Sequence, residues 1–211
     1  RKKICFIVST PLTIKAFLVN HIITLSQNYD IYLIANLDTY DYSFLEKLPL
    51  KHTEDIKIVR SISPFYDSFA LYKLYHYLKK EKFDAVHSIT PKAGFLAMVA
   101  SNIANIRNRI HIFTGQVWAT KKGVMRILLK LIDKIIVNNS TQILVDGEPQ
   151  RKFLINEGIV LENNSIVLGK GSISGVDTNQ FFPSEKESEI VRKELAILDS
   201  EKVFMFLGRL K

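Results

Sequence analysis

Short, almost uninterrupted apolar runs alternate along this chain with stretches whose apolar residues recur every three or four positions. The runs are Lys3–Val8, Asp30–Ala35, Ile56–Val59, Phe83–His87, Arg109–Phe113, Gln142–Val145 and Ser165–Leu168. A strand that is apolar on both sides has both faces covered, which is how strands of a parallel sheet read. Between them, Ile14, Phe17, Leu18, Ile22 and Leu25 form one helical stripe and Leu71, Leu74, Tyr75 and Leu78 another. Alternation of this kind, with right-handed crossovers, specifies an α/β fold: a Rossmann-like, doubly wound parallel sheet. Thr90 before Pro91 marks a helix start. Asp146 is placed to cap a helix through Pro149 to Glu157, with Gly158 at its carboxyl end.

The chain of 211 residues is long enough to bury a continuous core without disulfides or metals. Its single cysteine, Cys5, lies in the first apolar run and excludes an intrachain disulfide, which suits a reducing, cytoplasmic setting. No apolar stretch reaches the ~20 residues that span a bilayer. Arg1–Lys3 followed by Ile4–Val8 imitates a signal peptide, but the run is short and no cleavage site follows. The formal charge of +8 favours a polyanionic partner, whether nucleic acid, anionic membrane or phosphorylated substrate.

After Leu168 the pattern changes to a glycine- and serine-rich loop, Gly169 to Asp177, then a charged amphipathic helix from Ser184 to Leu198. A last apolar run, Lys202 to Leu207, reads as a strand entering a glycine turn at Gly208. The organisation expected is a first domain over 1–168, an interdomain linker with a helix over 169–200, and at 201–211 the first strand of a second domain, cut short.

Ligands of open parallel sheets bind beyond the carboxyl ends of the strands. The loops there are Ser9–Thr13, Asn36–Tyr40, Ser88–Lys92, Thr114–Lys122 and Asp146–Glu148. The first lacks the G-x-G-x-x-G that lets a pyrophosphate approach, which argues against a dehydrogenase. Lys92, in the first turn of a helix beside Thr90 and Gly94, would help form an anion site unless it simply points to solvent. His87 ends a strand and is either structural or turned to the same cleft. Gln116 and Trp118 suit a sugar ring, with core packing the alternative for the indole. Thr10, in the first loop, joins Thr90, Lys92, His87, Gln116 and Trp118 as a candidate ligand-binding residue. Lys121, Lys122, Arg126, Lys130 and Lys134 form a basic stripe that could face anionic headgroups, or solvent while the helix packs on the sheet. The glycines at 169, 171 and 175 lack the Gly-Lys-Ser/Thr ending of a P-loop, and neither metal-ligand spacing nor G-x-S-x-G occurs.

Four segments carry a family resemblance: His87-Ser-Ile-Thr-Pro-Lys-Ala-Gly94, Phe113-Thr-Gly-Gln-Val-Trp-Ala-Thr120, Gly171-Ser-Ile-Ser-Gly-Val-Asp177 with Phe181, and Phe206-Leu-Gly-Arg-Leu210. In this order and spacing the chain resembles the family-four retaining glycosyltransferases of bacterial capsule and O-antigen synthesis. The resemblance implies the amino-terminal half of a GT-B enzyme, two Rossmann-like domains facing a cleft. It implies a nucleotide-sugar donor, a UDP-sugar foremost, no bound metal, and no cofactor held by this half. The implied acceptor is a polyprenyl-diphosphate-linked glycan at the inner face of the plasma membrane. It further implies that Gly208 and Arg209 meet the donor diphosphate, and that these residues alone would not transfer sugar. Two departures from the family pattern stand out: Ser9 to Thr13 in place of a glycine-rich loop, and Thr114 where relatives carry a histidine. The rival readings are a non-catalytic module that recruits a partner subunit, a nucleotide-sugar epimerase or dehydrogenase, and a nucleic-acid binder. The missing glycine fingerprint and the lack of Tyr-x-x-x-Lys near a strand end disfavour the second, and no recognised module is visible for the third.

Overall fold

The computed structural model describes residues 1–39, 41–59, 61–179 and 181–208 and divides into two compact units, Arg1–Gly175 and Val176–Lys211. In the first unit seven strands form one sheet: β1 Lys3–Ile7, β2 Asp30–Ala35, β3 His52–Asp55, β4 Ala85–Ile89, β5 Asn108–Phe113, β6 Gln142–Val145 and β7 Ser165–Ile166. Every pairing is parallel and the order is β3-β2-β1-β4-β5-β6-β7. The order reverses between β1 and β4, so the crevice beyond their carboxyl ends is the topological switch point.

Alternate residues of each strand feed two cores, as period-two geometry requires. Phe6, Val8, Ile31, Leu33, Ile112 and Leu144 meet Ile14, Leu18 and Ile22 on one side. That side is covered by a helical run, α1 Pro11–Thr13, a π-helical stretch Ile14–Leu18 and α2 Val19–Ser26, and by the short 3-10 turn Ser43–Lys47, which adds Leu45. The opposite side, with Cys5, Ile7, Val86, Phe113, Ile143 and Val145, is covered by α3 Pro64–Glu81, α4 Pro91–Ile103, α5 Gly123–Asn139 and α6 Glu148–Asn156. Helices α3 and α5 both pack on α4, which lies between them.

Six strands fall where the apolar runs predict, to within a few residues at their ends. The third falls four residues earlier, at His52–Asp55 instead of Ile56–Val59. Strand β3 pairs with β2 alone, so as an edge it needs no apolar faces. Ile56 and Ile58, each 1% exposed, enter the core just beyond it.

Asp146 does not cap α6, whose first turn opens from Gly147 without a side-chain cap. Its main-chain oxygen instead accepts from Ser172 N at 2.6 Å, and its Oδ1 accepts from Ile173 N at 2.6 Å. Gly171, at φ +97°, allows this approach: a Cβ there would stand 2.7 Å from the Asp146 carbonyl oxygen. The glycine-rich segment is thereby tied to the end of β6, with Ile173 buried in the core. Gly158 does end α6, in a Schellman pair of Gly158 N to Ile155 O and Ile159 N to Leu154 O, both 2.9 Å.

In the second unit Ser184 accepts from Glu187 N at 3.3 Å and starts α7, Glu185–Glu194. The strand expected at Lys202–Leu207 is not formed. A strand exists only through its partners, and among the described residues none pairs with this segment, whose Phe204, Phe206 and Leu207 are at least 90% exposed.

Candidate functional site

Among the described residues, two cavities flank the central strands at the carboxyl edge of the sheet, one on each side. The larger of these two, about 390 Å³, lies between α3 and α5 above the start of α4. Its walls include Ser9, Ile62, Asp67, Thr90, Lys92 and Trp118, and its lower end is the switch point itself. There Ser9 Oγ and Thr90 Oγ1 are 3.4 Å apart. Thr90 has φ +73°, a conformation a β-branched residue adopts only when its surroundings force it. Thr10 sits beside this point, 4% exposed, with its hydroxyl 3.5 Å from that of Thr13.

Lys92 is not a free anion donor. Its ammonium is paired with Asp67 and also donates to Ser61 O at 3.0 Å. The helix-terminus argument misses this partner because Asp67 lies 25 residues away on another helix. Trp118 is not an open sugar platform. It is 1% exposed, its ring stacks on Phe153 at 5.4 Å, and its Nε1 donates to Asp133 Oδ2 at 2.7 Å. Burial pushes the Asp133 carboxyl up to about 6, and the indole bond only partly opposes this. Trp118→Phe removes the donor but keeps most of the ring. We expect a loss of about 1–2 kcal/mol in urea unfolding at pH 7, with the deficit shrinking toward pH 5 as Asp133 takes up a proton.

The basic stripe of α5 divides. Lys121 and Lys122 are exposed and make no ion pair among the described residues. Arg126 and Lys130 turn inward, bonding Glu157 at 2.8 and 2.7 Å and standing 5.0 and 5.3 Å from the Trp118 ring centre. Hydrogen bonds from Lys130 and Arg126 hold the Glu157 carboxyl below its ordinary range. Both cations are thus engaged by Glu157. What α5 exposes is largely apolar, with Val124 at 82%, Ile127 at 69% and Leu131 at 53%, and Lys134 is the stripe cation on the helix that stays exposed.

His87 faces the other side of the sheet from Lys92. It lines the smaller cavity, about 110 Å³, together with His21, Asp146 and Ile173. Its ring packs on Phe6, its Nδ1 is buried without a partner, and burial lowers its pKa to about 4. Opposite, His21 Nε2 meets Ile173 O at 2.5 Å. Gln116 belongs to neither cavity wall. Its Oε1 accepts from Gln150 at 3.2 Å while its Nε2 is buried and unpartnered. Gly208 is exposed and Arg209 lies outside the described residues. Sequence reasoning misses Asp67, Asp133 and His21. Of these only Asp133 gives a signal, as a lone carboxylate set among apolar residues from Leu128 to Val137.

No family model matches the chain. It is 29% identical over 188 residues to the capsular polysaccharide biosynthesis glycosyltransferase CapM of Staphylococcus aureus, covering 87% of this chain and 47% of that protein. It is 27% identical over 154 residues to the UDP-Gal:alpha-D-GlcNAc-diphosphoundecaprenol alpha-1,3-galactosyltransferase of Escherichia coli, covering 72% and 39%. The chain thus spans less than half the length of these relatives. Among solved structures, Anabaena HepE in complex with UDP and glucose superposes with a TM-score of 0.65 at 15% identity, over 92% of this chain and 50% of that one. The UDP-GlcNAc 2-epimerase of Methanocaldococcus jannaschii gives 0.60 at 24%, over 80% and 46%. At such identities the structures establish the fold alone, a doubly wound half shared by transferases and epimerases.

Proposed function

We propose that this chain is the acceptor-side, amino-terminal part of a glycosyltransferase with retained anomeric configuration, as in family four. It acts in capsule or related surface-polysaccharide synthesis. The donor is a nucleotide-sugar, a UDP-sugar foremost, and the acceptor a glycan on a polyprenyl diphosphate at the cytoplasmic face of an anionic membrane. One observation carries the reading: both sequence relatives are named glycosyltransferases, one of capsular polysaccharide biosynthesis and one acting on a diphosphoundecaprenol-linked sugar, matched over most of this chain and less than half of theirs. The switch-point crevice supports the acceptor side. Ser9 and Thr90 stand where a donor-diphosphate site would need glycines, and offer hydroxyls suited to hydrogen-bonding a substrate.

Residues 1–168 then form the acceptor domain and 169–200 the linker with its helix. Residues 201–211 begin the donor domain, with Gly208 and Arg209 toward the donor diphosphate. The exposed apolar run from Val203 to Leu207 supports a strand whose neighbours come from that domain. No helix among the described residues is long and apolar enough to cross a membrane. We place membrane contact of this part of the protein at the outward apolar residues of α5 and at Lys121 and Lys122. Ser9 and Thr90, with Thr10 beside them, are the acceptor-side groups of the crevice, and Lys92 and Trp118 support its wall. His87 in the smaller cavity and Gln116 outside both walls would act on the acceptor only from beyond this crevice.

The test is a pair of titrations of this chain. We expect binding to vesicles carrying a polyprenyl-diphosphate-linked N-acetylhexosamine above that to the same vesicles without it, and no saturable binding of a UDP-sugar. Tight UDP-sugar binding with indifference to the lipid-linked glycan would overturn the acceptor-side assignment.

A further inference from the structure

We infer that the cleft between α3 and α5 holds the hydrocarbon chain of a phosphorylated isoprenoid, the lipid part of the acceptor, and not its sugar. This rests on the lipid-linked reading above and adds where the lipid lies. Ile62, Phe95, Val117, Trp118, Leu129 and Ile132 form most of the cleft wall. A saccharide site needs polar groups that converge on the ligand. Here most polar atoms along the helices are turned on one another, Lys92 to Asp67 Oδ2 and Trp118 to Asp133, while Asp67 Oδ1 is buried without a partner. Only the switch-point end, at Ser9 and Thr90, offers hydroxyls. The cleft is an apolar channel with one polar end.

Its surroundings fit the same occupant. On α3, Phe65, Phe69 and Tyr72 are 80, 53 and 61% exposed at i, i+4 and i+7, an outward aromatic stripe. On α5, Val124, Ile127 and Leu131 form a second outward stripe. Met125, 49% exposed, continues the Leu129–Ile132 row of the cleft wall by one turn toward the helix start. Two apolar ridges thus flank an apolar groove, an arrangement that water leaves unsatisfied and a hydrocarbon covers. Lys121 N bonds Trp118 O at 3.0 Å, which sets the main chain of Lys121, and with it two exposed lysines without an ion pair among the described residues, beside the cleft wall. Their charge complements a phosphate or diphosphate at the end of the chain.

Trp118 is the single tryptophan, so its fluorescence reports the cleft directly. The probe is a farnesyl diphosphate brominated on its terminal unit, used below its micellar concentration. We expect saturable quenching of Trp118, reversed by the unbrominated compound. Val117 is 55% exposed and should accept a charge without unfolding, with near-UV circular dichroism as the control. Val117→Glu should weaken quenching about tenfold or more, since it puts a carboxylate in the path of the chain. Lys121→Glu with Lys122→Glu should weaken the diphosphate probe but leave brominated farnesol unaffected. Absence of quenching up to the solubility limit, or quenching that Val117→Glu does not alter, would overturn the inference. Saturable quenching without any preference for the glycan-bearing vesicles would uphold the cleft and remove the glycan acceptor. Glycan binding indifferent to Val117→Glu and to chain length would do the reverse.

Discussion

Gly94→Ala should cost about 3 kcal/mol of folding stability, although alanine is the better helix former by about 1 kcal/mol. A Cβ at this position would lie 2.4 Å from Cε1 and 2.7 Å from Nδ1 of His111. The ring cannot retreat. It is 1% exposed, its Nδ1 is 2.8 Å from Ser88 Oγ, and it meets the edge of Phe113 at 4.7 Å. Gly94 thus serves to let α4 lie on β5, not to open a path for an anion as its place beside Lys92 suggests. Urea unfolding of Gly94→Ala, His111→Ala and the double variant checks this. A compensating coupling of more than about 1 kcal/mol is expected, whereas strict additivity would show that the helix can shift.

Acidification from pH 7 to 5 should remove on the order of 4 kcal/mol through the two buried histidines alone. Burial lowers His87 to about 4 and His111 to about 3, whereas the unfolded imidazoles titrate at about 6.5. The folded state therefore binds fewer protons across this window. The stability due to keeping both rings neutral is complete above about 6.5 and is lost as pH falls toward their folded values. Asp133 works in the opposite sense. Its carboxyl is raised to about 6, so ionising it strains the folded state, and that strain is relieved on acidification, returning about 1 kcal/mol at pH 5. Asp133→Asn should accordingly be the more stable form at pH 7 and show the steeper acid loss. Equal unfolding midpoints for the parent chain at pH 7 and 5 would contradict the assignment of both histidines.

What the sequence reveals follows from which surfaces are covered. Strands buried on both faces, such as Asp30–Ala35 and Gln142–Val145, announce themselves as apolar runs. Edge strand β3 does not, because only one neighbour constrains it. The rotation of α5 is hidden for the opposite reason. Val124, Met125, Ile127, Leu128, Leu129, Leu131, Ile132, Ile135 and Ile136 wrap most of the helix, so its pattern names no unique inner face. The structure buries Asp133, Ile136 and Val137, draws in Arg126 and Lys130 to Glu157, and leaves apolar residues outside. The site divides the same way. Ser9, Thr90 and Lys92 are legible as strand-end residues of a doubly wound sheet. Asp67 is not, since it matters through a partner brought near by folding and carries no neighbouring sequence signal, and Asp133 shows only as a lone carboxylate in an apolar stretch, with nothing nearby to name its partner.

The π-helical stretch at Ile14–Leu18 has its own consequence for the smaller cavity. A π turn holds one residue more than the α turn it replaces, so it absorbs an insertion without unravelling the helix around it. Each residue added or removed changes the phase of everything downstream by about 100°. Ile22 reaches the core and His21 reaches Ile173 O only because α2 leaves that wide turn at its present phase. The wide turn is thus the joint that sets which way α2 looks. A chain one residue shorter here could keep every strand and helix of this fold and still present a different side chain to His87.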